Sequence, residues 1–302
     1  MVLSPETALP QRTLPVYLGN GESRNRASLT YGNQLTETLW DFSETNYAEA
    51  ERRAASLGVN LREGDLRWTD YEGLRAMDLD YPELCAALRK NLKENSCQFR
   101  SFSKIQVLPS AKLGQSIEFI ERSAPQKIEA TAVVCAEEWL CYQNFTYMKD
   151  KLVPATLWSF LFKKTTALDF ALALFNDGVD FAVNRGSQLE LGSFRNLYMD
   201  HGVGLVTEPD ERTRAGVKSL FSGLGWIESE NESAVFSSVE AISCDGLPIV
   251  GSLPDLPSTY VVCGFSGRSQ NFLFEAARLL VGALLEENDF SLLSTFSTKR
   301  FL

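Results

Sequence analysis

The stretch that most narrows the choice of fold lies between Thr259 and Leu285: a short strand, a turn holding two glycines, and a long apolar helix. Tyr260–Cys263 (Tyr-Val-Val-Cys) is a β-branched and aromatic run that suits a buried strand. Gly264 and Gly267 permit a sharp reversal and the close approach of another group to the main chain. From Asn271 onward Phe272, Ala276, Leu279, Leu280, Ala283 and Leu284 recur at helical spacing, so the turn feeds a helix N-terminus. Such a terminus presents unpaired N–H groups and a positive dipole end, which suits an anion or a negatively charged ring.

The rest of the chain mixes helices with strands. Thr45–Leu57 reads as a helix closed by Gly58. Asp80 is an N-cap, with Pro82 in the first turn and Glu83 at the third position, ahead of the apolar face Leu84, Ala87, Leu88 and Leu92. Asp210–Leu224 reads as a further helix. Strands are expected at Leu14–Leu18, Leu61–Trp68, Phe99–Leu108, Ser116–Ile120, Lys127–Ala136, Leu152–Lys163 and Ala234–Ile242. The continuous apolar end of Lys127–Ala136 marks a strand covered on both faces. Val179–Val183 and Gln188–Leu191 flank Asn184-Arg185-Gly186-Ser187 and read as a hairpin. Glu22–Gly32 reads as a polar loop, and residues 1–13 as an arm without periodicity.

Composition sets limits on function. A chain of 302 residues with 44% apolar content buries a substantial core in one or two domains. The longest membrane-span candidate, Phe272–Leu285, is interrupted by Glu275 and Arg278. Met1-Val2-Leu3-Ser4-Pro5-Glu6 has neither the basic start nor the apolar core of a secretory signal. Cytoplasm is therefore the expected compartment, with organellar import and a cleaved presequence as the alternative. A net charge of −10 argues against a broad nucleic-acid surface, which rests on Lys and Arg contacts to phosphates. The six cysteines show no C-x-x-C spacing and read as free thiols. With His201 the single histidine, no metal site is assigned.

Ahead of the turn stands Asp245-Gly246-Leu247-Pro248-Ile249-Val250-Gly251, and the chain ends in Lys299-Arg300-Phe301. Together with the strand, glycine turn and helix, these segments resemble the C-terminal signature of the D-amino-acid-oxidase-like family of FAD-dependent amine oxidoreductases. Glycine and sarcosine oxidases belong to it, as does the flavin oxidase half of the bifunctional enzyme that modifies tRNA wobble uridines. Ser23–Ser28, Asp80–Cys85, Lys127–Ala136 and Gln188–Gly192 are similar to further segments of that family. The resemblance implies an α/β fold in which a truncated FAD-binding, Rossmann-like layer (14–138 and 243–302) is interleaved with a β-rich substrate-type domain (139–242). It implies FAD as cofactor, with the turn residues Gly264, Phe265, Ser266, Gly267 and Arg268 against the flavin ring and Asp245, Gly246 and Pro248 bracing them. Arg185 and Arg195 are the candidate substrate contacts, because a guanidinium pairs bidentately with a carboxylate. The plainer reading of both is a solvent-facing arginine, and no catalytic side chain is identified.

The departures from the family fall on the cofactor. The family opens on a strand, a G-x-G-x-x-G turn and a helix, a unit of roughly 30 residues with its next strand; only fifteen residues precede Val16 here. The position matching the family's ribose-binding carboxylate is about Gly19, and the glycine that follows the basic residue of the last turn is replaced by Ser269. The late strand, which in the family ends in Ala-Thr-Gly, ends here in Ala136-Glu137-Glu138. These adjacent carboxylates point to opposite faces of an extended segment, so they do not share a proton and read as solvated. Two functions follow. One is a pseudoenzyme, a binding or structural component that keeps the fold without the flavin. The other is an active FAD-dependent oxidoreductase oxidising a C–N bond of a small amine or amino acid, its pyrophosphate-binding part supplied elsewhere or remodelled. A sheet lacking its first strand and helix also calls for cover by a partner protein, a second copy or the N-terminal arm.

Overall fold

The computed structural model of the chain describes residues 1–5, 14–19, 21–68, 75–110, 114–175, 180–192, 202–204, 208–287 and 290–302. The elements run β1 (Val2–Pro5), β2 (Leu14–Tyr17), α1 (Arg24–Tyr31), α2 (Asn33–Leu57), β3 (Leu61–Trp68), β4 (Arg75–Leu79) and α3 (Tyr81–Glu94). Next come β5 (Phe99–Phe102), β6 (Lys104–Ser110), β7 (Gly114–Glu121), β8 (Ala124–Ala130), β9 (Val133–Cys135) and α4 (Glu138–Asn144). The second half holds β10 (Leu152–Lys164), β11 (Leu172–Phe175), β12 (Asp180–Arg185), β13 (Gln188–Gly192) and α5 (Glu211–Gly223). It closes with β14 (Ile227–Ser243), β15 (Ile249–Leu253), β16 (Leu256–Cys263) and α6 (Leu273–Leu284). Local chemistry sets several boundaries: Asp80 accepts from the Glu83 N–H at 2.9 Å and Asp210 from the Thr213 N–H at 2.7 Å. Gly58 ends α2 in the left-handed region, at φ +69°.

Among the described residues the strands form four sheets. The largest has the order β14-β10-β13-β12-β11-β3-β4-β2. A three-stranded sheet, β15-β16-β9, joins a hairpin to a parallel strand, and β6-β7-β8 is an antiparallel meander. The fourth is the parallel pair β1-β5. Helices α2 and α6 pack together, with Leu39 and Trp40 of one and Ala276, Leu279 and Leu280 of the other in a shared core. A second core lies on the large sheet, where Phe160, Phe162, Leu189 and Leu191 meet Val217 and Phe221 of α5. Each fully buried Leu or Phe contributes about 1.5–3 kcal/mol. No helix among the described residues is long and apolar enough to cross a membrane.

The α/β architecture, the hairpin at Arg185 and the strand, glycine turn and helix stand as the sequence implies. Four expectations are corrected. Glu22–Gly32 is not a loop: Ser23 caps α1 by accepting from the Arg26 N–H, and the helix buries only Ala27, so it leaves no apolar period to read. Helix α2 starts twelve residues before Thr45, at Asn33. Lys127–Ala136 is two strands, since β8 pairs antiparallel with β7 while β9 leaves it to run parallel with β16. Finally, β2, β3 and β4, assigned from sequence to the nucleotide-type layer, belong to the large sheet with β10–β14. The strand beside β5 is instead β1, inside the expected arm, and residues 6–13 lie outside the described set. The Gly19 departure thus follows a strand of the other sheet.

Candidate functional site

The glycine turn is held where two strands end. β16 stops at Cys263, β14 stops at Ser243, and Phe265 bridges Ile242. Gly264 takes φ +68°, and a Cβ there would meet Ile249 and Leu152 at 3.1 Å, so both the angle and the space select glycine. Ser266 Oγ accepts from the Ser243 N–H at 3.1 Å and donates to the Gly264 carbonyl at 3.3 Å. Phe265 is buried in the α2–α6 core. The turn residues Gly264, Phe265, Ser266, Gly267 and Arg268 are therefore brought together as expected.

The Phe265 N–H of this turn is engaged by a side chain of the same chain, and the Arg268 N–H by the Phe265 carbonyl at 3.0 Å. The Phe265 N–H donates to Glu138 Oε1 at 3.0 Å, and the Ala241 N–H donates to Glu138 Oε2. Part of Glu138 reaches the surface, but its carboxyl is enclosed among α4, β14 and the turn. Burial, and then the charge of Glu240, push that carboxyl up to about 8. Glu240 Oε2 itself lies 3.5 Å from the Cβ position of Gly267. Glu137 turns the other way and caps α4, accepting from the Trp139 N–H at 3.3 Å and from the Leu140 N–H. The opposed directions agree with the sequence reading; solvation does not, because both carboxylates sit on backbone N–H groups.

The start of α6 is closed in a similar way. Asn46, fully buried on α2, accepts from the Phe274 N–H at 2.8 Å and the Glu275 N–H at 3.2 Å. Its amide donates to the Gln270 carbonyl at 2.9 Å. The expected open helix end is thus capped from a helix more than two hundred residues away in sequence. Asn271 donates to the Gly19 carbonyl at 3.0 Å, and the Gly19 N–H donates to Ser43 of α2 at 2.7 Å.

Arg268 leaves the turn to pair with Glu22 at 2.7 Å, the two side chains only 16% and 10% exposed. Gly21 lies under this pair, where a Cβ would stand 3.1 Å from both the guanidinium stem and the Tyr17 hydroxyl. The Tyr31 hydroxyl also bonds Arg268; burial first, then the Glu22 charge, raises its pKa. Asp245 forms a bidentate pair with Arg300 at 2.7 and 2.9 Å, and accepts from the Leu247 N–H at 3.1 Å. Its carboxyl is held below the usual range by Arg300 despite burial. Gly246 and the buried Pro248 complete the brace, and Tyr31 Oη lies 2.6 Å from the Cβ position of Gly246.

Arg185 stands apart from this cluster. It pairs with Glu190 across the β12–β13 hairpin at 3.1 Å, with exposures of 17% and 4%, so it is neither solvent-facing nor beside the turn. Arg195 and His201 lie outside the described residues. Sequence reasoning missed Asn46, Glu22 and Tyr31. Asn46 left one signal, a polar residue on the buried stripe that also carries Leu39, Ser43, Tyr47 and Ala50.

No protein-family model matches the chain, and no curated protein sequence matches it. Solved structures do. L-proline dehydrogenase from P. horikoshii superposes with a TM-score of 0.68 at 11% identity, covering 88% of this chain and 83% of that one. Glycine oxidase from Geobacillus kaustophilus gives 0.62 at 15% identity, covering 87% and 82%. Iminodiacetate oxidase from Chelativorans sp. BNC1 gives 0.57 at 14% identity, covering 95% and 76%. At such identities the likeness is one of fold.

Proposed function

We propose that this chain, which has the fold of the D-amino-acid-oxidase-like FAD-dependent oxidoreductases, serves as a non-catalytic binding or structural component. The observation that carries this reading is the internal capture of the Phe265 N–H of the glycine turn by Glu138 and the capping of the α6 terminus by Asn46. A flavin ring against this turn draws on N–H donors from the turn and from the helix end. Here the Phe265, Phe274 and Glu275 donors already have acceptors of the chain's own. Freeing Phe265 strips the Glu138 carboxyl of one of its two N–H partners, which costs about 1–3 kcal/mol. Glu240, beside Gly267, adds a negative group where a reduced flavin would bring another. The residues present do not fit the flavin in the manner that the resemblance implies.

The test is the visible absorption spectrum of purified protein before and after incubation with FAD. The expected result is a colourless protein whose added FAD is removed by gel filtration. Flavin bands near one per chain would overturn the proposal. They would favour an active oxidoreductase, which the retained left-handed glycines at 264 and 267 support; turnover of glycine, sarcosine or proline would then be measured.

A further inference from the structure

The two edges of the large sheet differ in kind. At one end β2 is four residues long and carries Pro15, a short edge that discourages a further neighbour. At the other end β14 runs for 17 residues, and no strand among the described residues lies outside it. From Ser233 to Val239 it reads Ser-Ala-Val-Phe-Ser-Ser-Val, without a charge or a proline to blunt it. Phe236 and Val239 are 44% and 36% exposed on this stretch. Hydrogen bonds fix which backbone groups face outward. The Ala241 N–H donates to Glu138 and not to β10, where the residue opposite is Pro154. Sides alternate along a ladder, so Val239, Ser237 and Val235 also turn their N–H and C=O outward. Pairing with β10 is regular up to Leu161 and shifts register beyond it, past Ala234. Past Glu240 the edge is already taken, by Glu138 at Ala241, Phe265 at Ile242 and Ser266 at Ser243. The straight, open edge is therefore Ala234–Glu240.

We propose that this edge pairs antiparallel with the same edge of a second copy of the chain, about a two-fold axis at Ser237. In that register Ser237 faces its own counterpart and Val235 faces Val239, and each of these outward pairs exchanges both backbone bonds. The two Phe236 rings lie diagonally across the seam, within reach of each other. Charge selects a second copy and this register. Glu240 of each chain faces Ala234 of the other, and Glu232, beyond the straight edge, has Arg214 and Lys218 of its own chain beside it. Moving the axis to Phe236 brings Glu232 of each chain against Glu240 of the other. Moving it to Ser238 sets Val235 against Ala241, whose N–H Glu138 already holds. The edge thus matches itself in backbone direction, apolar contact and charge at one axis. The seam lies beyond the glycine turn and is open whether or not flavin binds.

A contact of two short edges is small, so the dimer is expected to be weak, with a Kd of about 1–100 µM by sedimentation velocity over a dilution series. Ser237→Pro removes only an outward N–H, and Val239→Lys puts a charge at the seam; each is expected to raise Kd about a hundredfold. Exchange of the Val235, Ser237 and Val239 amides is expected to slow about tenfold or more as the parent is concentrated, and not in the variants. Both positions are exposed, so the variants are expected to melt with the parent at a dilution where all are monomeric. Should Ser237→Pro melt early, Val239→Lys carries the test. A monomer up to about 1 mM would overturn the proposal. So would a dimer that Val239→Lys leaves intact, whose contact lies elsewhere. Slow exchange of these amides in the dilute monomer would overturn it too, by showing that the chain covers the edge itself. Assembly beyond a dimer, abolished by Val239→Lys, would replace the two-fold seam with an open, non-symmetric one.

Discussion

At the scale of single residues, Glu138 is the most informative side chain. Its carboxyl joins α4, β14 and the glycine turn through two N–H bonds, with Glu240, Glu137 and Cys263 as its titratable neighbours. Its pKa rises from 4.5 to about 8, so the native state holds a proton that the unfolded chain has released. Stability from this group is full below the unfolded value and is lost as pH climbs through the folded one. Between those limits the fall approaches about 1.4 kcal/mol per pH unit. Urea titrations from pH 5 to 8 are expected to show this decline in the parent chain and a flatter profile in Glu138→Gln. Equal slopes would mean that the carboxyl is ionised throughout. Asn46→Ala removes the cap of α6 and leaves the Gln270 carbonyl without its donor, and is expected to cost about 2 kcal/mol. A change within a few tenths in chemical denaturation would show that water substitutes for the amide.

At the scale of elements, the segment from Asp245 to Leu284 is a turn, a hairpin, a second turn and a helix, pinned at Asp245 by Arg300. This part was legible in the sequence because its determinants are local: β-branched residues, two glycines and a helical period, all within forty residues. What closes the site was not legible. Asn46, Glu22 and Tyr31 reach it from distant segments, and nothing in a helix interior or a polar stretch announces such a partner. For the same reason the strands at 14–17 and 61–68 could be recognised as strands but not assigned to a sheet, since alternation records faces and not neighbours, and the strand at 75–79 was not read at all. Gly246 tests the contact between the brace and α1. Gly246→Ala meets both a left-handed φ of +75° and the Tyr31 hydroxyl, and is expected to lose about 2 kcal/mol. Tyr31→Phe removes the hydroxyl, so the double variant is expected to be more stable than the sum of the singles by about 0.5 kcal/mol or more. Strict additivity in a thermal double-mutant cycle would show that only the backbone angle matters.

At the scale of the whole molecule, the path of the chain decides how it unfolds. The large sheet takes strands from 14–79 and again from 152–243, while α2 lies between two of these strands and the glycine turn and α6 follow them all. No single cut separates the two cores, and helix α2 joins them through sequence, since β2 precedes it and β3 follows it. Loss of the α2–α6 contact would also release Asn271 from Gly19, two residues beyond the edge strand of the large sheet. Neither core therefore has a boundary of few contacts along which to part, which is the condition for independent domains. Trp40 sits in the α2–α6 core and Trp158 in the core of the large sheet, so the chain carries a reporter for each. Variants keeping only one of these tryptophans, the others replaced by Phe, are expected to give the same urea midpoint by fluorescence. Far-UV circular dichroism is expected to follow both. Two separated midpoints, with the Trp158 transition later, would show that the large sheet survives without the glycine turn and that the interleaved halves are two folding units.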